Sequence, residues 1–235
     1  MDIFRRHEIF EIEVLDIMKS TKLLDALVFG GGSMLRLCHE LNRYSVDLDF
    51  WFVKRMSHAT YLSKLQKVLE KGYEITDAQI KHYTLLVELR SPDYPKRLKV
   101  ELRREMKECD VQERIAFSKY STKQVILKTH TLEQTIKNKM EAFLARGEIR
   151  DCFDIEFLLR RGIALPDMDD RQANAFKKKL SHFKERDFKV KLGSILESGD
   201  RDYYSTNKFS YLQEKLAVQP EHVRISRTPR GDTLV

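Results

Sequence analysis

The chain has little cysteine, no paired histidine ligands and no long apolar run. Its three cysteines, Cys38, Cys109 and Cys152, are odd in number, widely separated and without metal-ligand spacing. That excludes a disulfide framework and reads as reduced thiols, mostly core residues. The seven histidines form no H-x-x-x-H pair, so no zinc is assigned. No stretch is long and apolar enough to span a membrane, and the opening MDIFRRHEIF holds no apolar run of signal-peptide length. Both point to a cytoplasmic protein without a membrane partner. Internal repeats and low-complexity segments are also missing.

What is present is an ordinary apolar fraction in 235 residues and a net charge of +7. The length suits one large domain or two small ones, and the charge suits a polyanionic partner, for which nucleic acid is the usual candidate. The informative stretch is residues 27 to 53, LVFGGGSMLRLCHELNRYSVDLDFWFV. It reads as strand, glycine turn, helix, strand. Gly30, Gly31 and Gly32 let the backbone turn sharply and present N–H groups to an anion without Cβ obstruction. A helix from Ser33 to about Leu41, apolar at Met34, Leu35, Leu37, Cys38 and Leu41, then points its N-terminus at the turn, a seat for phosphate. On the strand from Val46 to Val53, Asp47 and Asp49 share one face and Val46, Leu48 and Phe50 the other. Two carboxylates side by side on an apolar strand call for a positive charge between them, and Mg²⁺ or Mn²⁺ carried by a nucleoside triphosphate fits that need. Alone, the glycines also read as a plain turn and the Asp-x-Asp as a solvated face.

In this order the elements carry a resemblance. GGS followed by R-x-S-x-D-L-D-F (Arg43, Ser45, Asp47, Leu48, Asp49, Phe50) resembles the signature of the nucleotidyltransferase superfamily, and more narrowly the AbiEii/AbiGii-type toxins of type IV toxin–antitoxin and abortive-infection systems. The resemblance implies that Gly31, Gly32 and Ser33, with Arg43, bind the nucleotide, and that Asp47 and Asp49 hold the metal.

The rest of the chain is read around that unit. Residues 2 to 22 form an amphipathic scaffold helix, and a second helix runs from about Ser57 to Lys71. An antiparallel hairpin follows, His82 to Leu89 and Arg97 to Arg103. If the second of these strands lies beside Val46 to Val53, Glu101 joins the acidic face as a general base or metal ligand. Otherwise it pairs with Lys99, Arg103 or Arg104 on a solvated surface. Residues 105 to 130 read as a loop or linker strand. At Thr131, TLEQ suggests a capping box opening a helix to about Arg146, and after Gly147 comes a helix from about Ile149 to Leu159. The run K-x-x-A-x-x-x-R-x-x-x-R-D-x-x-D (Lys139, Ala142, Arg146, Arg150, Asp151, Asp154) also resembles these toxins. It implies catalytic roles for Lys139 and Asp154, with Asp151 beside the nucleotide. Its charges equally suit a buried ion-pair network, the favoured reading for Arg150 and Asp151. The lysine-rich helix after Pro166 is a solvated face or an RNA-backbone surface.

The expected fold is α+β: an α/β nucleotidyltransferase-type domain with a small mixed sheet over residues 1–108, a linker over 109–130, a helical domain over 131–218 and a flexible tail over 219–235. The implied chemistry is Mg²⁺-dependent transfer of a nucleotide from a nucleoside triphosphate to an acceptor hydroxyl. The resemblance favours RNA as acceptor, in some members the tRNA 3′ end, and an antitoxin as protein partner. The alternatives are transfer to a protein or small molecule, and a non-catalytic nucleotide- or RNA-binding module.

Overall fold

The computed structural model describes residues 3–217; the tail expected over 219–235 lies outside the described residues. Its centre is a seven-stranded mixed sheet in the order β3-β4-β5-β2-β1-β7-β6. The strands are β1 (Leu27–Gly30), β2 (Asp47–Phe52), β3 (Glu74–Ile80), β4 (Thr84–Arg90), β5 (Leu98–Arg103), β6 (Val111–Phe117) and β7 (Gln124–His130). Three helices accompany the sheet: α1 (Ile3–Ser20), α2 (Gly31–His39) and α3 (His58–Leu69). The C-terminal part is helical, with α4 (Leu132–Arg146), α5 (Ile149–Arg160), α6 (Asp170–Ser181), α7 (Ser198–Asn207) and α8 (Ser210–Ala217).

Strand alternation decides where the core sits. On β2, Leu48, Phe50 and Phe52 are buried while Asp47, Asp49 and Trp51 are half-buried. On β5, Leu98, Val100 and Leu102 are buried, and the residues between them face the other way. The apolar face meets α1, α2 and α3 in one core with Phe10, Leu15, Met34 and Leu65. The other face is left to polar side chains near the helical part. Burying one face of a sheet against helices is the ordinary way such a layer excludes water.

Two expectations are corrected. Residues 111–117 and 124–130, expected within a loop or linker strand, form the β6–β7 hairpin, and β7 lies parallel to β1 in the main sheet. Segment 74–80, assigned no strand, is β3, paired antiparallel with β4. Helix α2 begins at Gly31, two residues before the expected start, and ends at His39, where Glu40 turns left-handed at φ 59°. The Thr131 cap forms, its Oγ1 accepting from the Gln134 backbone N–H at 3.1 Å. Gln134 turns outward, however, donating to Asn138 Oδ1 at 2.9 Å, so the reciprocal half of the box is not made.

Candidate active site

The acidic strand β2 lies between two neighbours that bring different chemistry. On one side it is antiparallel to β1, with Asp49 opposite Gly30. On the other it is parallel to β5, which sets Asp47 beside Lys99, Asp49 beside Glu101 and Trp51 beside Arg103. Glu101 thus stands on the same face as both aspartates, across one inter-strand spacing of about 4.8 Å from Asp49.

The glycine turn is shaped by what it must admit. Gly31 has φ +73°, and a Cβ there would fall 2.2 Å from Asp49 Oδ2; only glycine permits both the backbone angle and the carboxylate's approach. At Gly32 a Cβ would meet Arg43 Nη2 at 2.5 Å and Ser45 Oγ at 2.7 Å. The start of α2 has no side-chain cap, so its first N–H groups are unclaimed by a capping side chain beside Asp49. Ser33 lies differently from the sequence expectation. It is fully buried, its hydroxyl donating to the Asp47 carbonyl at 2.6 Å with Glu11 Oε1 2.9 Å away.

Glu11 was read as part of a scaffold helix. It is buried on α1 beneath the acidic strand, and burial pushes its carboxyl well above the usual range, with Glu8 and Asp47 adding repulsion and Ser33 and Arg36 partly offsetting. Ser33 Oγ lies between the Glu11 carboxyl and the Asp47 carbonyl and can donate to either, a link from helix to strand. The sequence signal was available: Glu8 and Glu11 fall within the buried stripe of α1, between His7 and Phe10 or beside them.

The electrostatics of the acidic face are unbalanced. Burial raises the Asp49 pKa from 3.8 to about 6; Asp47 and Glu101 push the same way, and Lys139 only partly compensates. Asp47 is also raised, by burial and then by Glu101, against attraction from Lys99 and Arg150. Hard oxygen donors short of positive charge are a fitting set for a divalent cation such as Mg²⁺. Among the described residues no three His, Cys, Asp or Glu side chains already converge as a metal-binding group. The fit is therefore that of one or two protein carboxylates completed by phosphate oxygens, the usual habit of Mg²⁺ in phosphate sites.

The helical part supplies the counter-charge through a buried network. Arg43 grips Asp154 with two hydrogen bonds, Nε to Oδ1 at 2.6 Å and Nη2 to Oδ2 at 2.7 Å. Lys139 Nζ lies 2.6 Å from Asp154 Oδ2 and 3.7 Å from Asp151 Oδ1. Arg146 closes the chain with two bonds of 2.7 Å to Asp151. Arg150 is exposed and forms no ion pair among the described residues. Arg43 comes from the segment before β2 and Asp154 from α5, so one carboxylate ties the sheet to the helices. Lys139, which the network steadies, faces Asp49 electrostatically. The structure thus sets Asp47, Asp49 and Glu101 on one face of the sheet, with Gly31 against Asp49 and Lys139 acting on it electrostatically, while Ser33, Arg43, Asp151 and Asp154 lie buried.

No curated protein matches the sequence. The fold is shared with MenT4, a nucleotidyltransferase toxin from Mycobacterium tuberculosis, at 14% identity and TM-score 0.54, covering 90% of this chain and 86% of that one. JHP933 from Helicobacter pylori aligns at 20% identity and TM-score 0.45 over 87% of this chain and 97% of that one. The family model for the nucleotidyl transferase AbiEii toxin of type IV toxin–antitoxin systems matches residues 15–217. That span runs through the glycine turn, the paired acidic strands and the helical ion-pair network, and the chain belongs to the AbiEii nucleotidyltransferase toxin family.

Proposed function

We propose that this nucleotidyltransferase moves a nucleoside monophosphate from a nucleoside triphosphate to a hydroxyl of RNA, in the cytoplasm, as the toxin half of a pair held in check by an antitoxin protein. The observation that carries the reading is one juxtaposition: Asp49 opposite the Gly30–Gly31 turn, beside Glu101, and under the charge of Lys139. A triphosphate lying along the turn meets backbone N–H groups at the α2 N-terminus, where the helix dipole favours anions. Because Ser33 turns its hydroxyl inward, its backbone N–H and that of Gly32 are the groups available to the β- and γ-phosphates.

Asp47 and Asp49, with Glu101 as a possible further ligand, would hold Mg²⁺ or Mn²⁺, which when bound draws charge from the phosphates and lowers the cost of the attacking oxygen's negative charge. Glu101 accepts the proton of the acceptor hydroxyl. The hydroxyl oxygen then bonds to the α-phosphorus, the α–β bridging bond breaks and pyrophosphate leaves, with Lys139 opposing the charge on the departing group. Asp154 and Arg43 orient Lys139, and Asp151 steadies it from the other side. The net charge of +7 supports a polyanionic acceptor.

The test is a labelling reaction: purified protein, Mg²⁺, each α-labelled nucleoside triphosphate in turn, and total cellular RNA, with an Asp47→Ala/Asp49→Ala double variant alongside. Label is expected in an RNA band with the wild type alone. Label in protein instead, or label that persists in the double variant, would overturn the proposal.

A further inference from the structure

The polar face of the sheet continues past Asp49 and Glu101. One side-chain step further along the two parallel strands stand Trp51 and Arg103, again cross-strand partners and about 6.6 Å beyond the carboxylates at the ordinary strand rise. They belong to a cleft of about 600 Å³ that is also lined by Tyr83 of the β3–β4 turn and by Asn138, Glu141 and the small Ala142 of α4.

Three properties of this cleft point to a nucleotide. The first is a supply of rings. Trp51 is held edge-on to His130 at 4.7 Å and packs over Gly30, where a Cβ would come within 2.6 Å of its ring. Tyr83 stands 72% exposed on the facing turn, and that turn is pinned by Arg104, which donates to the carbonyls of Lys81 and His82 at 2.8 and 2.9 Å. The second is a cation held in no ion pair, whose charge also acts on Asp49. Arg103 is exposed and forms no ion pair among the described residues, whereas nearby Lys107 has Glu105 at 3.7 Å. Rings beside an unpaired guanidinium are the combination that binds single-stranded nucleic acid.

The third property is position. The glycine turn lies on the β1 side of β2, and the cleft's Arg103 lies on the β5 side with Glu101. Glu101 stands one side-chain step from the cleft's Arg103 on the same face of β5. We propose that this cleft seats the terminal nucleotide of a single-stranded RNA acceptor, its base against Trp51 and Tyr83 and its phosphate at Arg103, so that the terminal hydroxyl reaches Glu101. The inference rests on the nucleotidyl-transfer reading above for the reaction, but not for binding.

Trp51 is the chain's single tryptophan, so its fluorescence reports on this cleft and on the glycine turn that it packs over. The experiment titrates a short single-stranded oligoadenylate into the Asp49→Asn variant, in which transfer is strongly slowed, and separately ATP with Mg²⁺ into the wild type. The oligonucleotide is expected to quench Trp51. Arg103→Ala, a change at an exposed position, should weaken that binding roughly tenfold and lower the salt slope of log affinity by about 0.7. Tyr83→Ala should weaken it by about tenfold through lost stacking. No quenching by the oligonucleotide overturns the proposal, as does equal, Arg103-dependent quenching by ATP alone, which would make the cleft a pocket for the triphosphate's base. Quenching that follows this pattern in a protein whose wild type labels no RNA would leave the cleft standing and sink the transfer reading. RNA labelling with no effect of Arg103→Ala on quenching would do the reverse.

Discussion

Two groups of carboxylates lie on either side of Lys139, and they behave in opposite ways. Asp154 is wholly buried, which alone would raise its pKa, yet Arg43 and Lys139 outweigh that cost and hold it below 3.8. Asp49 is raised to about 6 by burial, with Asp47 and Glu101 pushing the same way. The first group is a finished ion-pair network, complete within the protein. The second is an electrostatic site left open, and its missing charge must come from what binds there. Buried charges in a folded protein are normally paired, so a set short of positive charge is a functional-site candidate.

The largest effect that tests this contrast is on activity. Asp49→Asn should lower nucleotide transfer by about 10³-fold, read by label incorporation. The same substitution should leave stability equal to or above the wild type in urea melts without metal, because it removes a repelling charge. A clear loss of stability would mean that Asp49 has a protein partner and that the two groups are alike. Asp154→Ala should do the opposite in the folding measurement. It leaves Arg43 and Lys139 buried without their anion and is expected to cost about 3–5 kcal/mol, with transfer falling as well because Lys139 loses its anchor. A cost near zero would show that the network relaxes freely and does not position anything.

The smallest effect concerns Glu11, a carboxylate that belongs to neither group. Its folded pKa lies well above 4.5 because of burial, so its contribution to stability is present below pH 4.5 and is lost as pH rises toward the folded value. Glu11→Gln should therefore gain on the wild type in urea midpoint between pH 4.5 and 7.5, with a gap that widens as pH rises. A gap that stays constant or narrows would show that Glu11 is ionised in the fold and that a third, negative, layer lies beneath β2.

Much of the site was readable before the fold was known, because its chemistry is packed into short stretches. Gly30 to Ser33, Asp47 and Asp49 lie within twenty residues, and strand alternation alone puts the two aspartates on one face. The edge strands β3 and β6 were not readable. EITDAQI and VQERIAF are polar, and only Ala116 is fully buried between them. Edge strands keep charge to deter pairing with other chains, and that charge erases the apolar alternation that reveals a strand. Within 105–130, expected as a loop or linker strand, β7 shows its alternation only through Val125 and Leu127, and its place beside β1 is a long-range pairing.

Local order along the chain was thus determined by the sequence itself: the turn, its following helix, the acidic strand, and the two helices broken at Gly147. Partnership was decided only by the tertiary structure. Nothing in the local pattern distinguishes Asp49, left short of charge, from Asp154, bound by an arginine 111 residues away. Nor does it place Ser33 inward on Glu11, or Arg103 unpaired beside Trp51. A carboxylate's ionisation depends on the charges and water within a few ångströms of it, and those neighbours are chosen by the sheet order and by the docking of helices on its polar face.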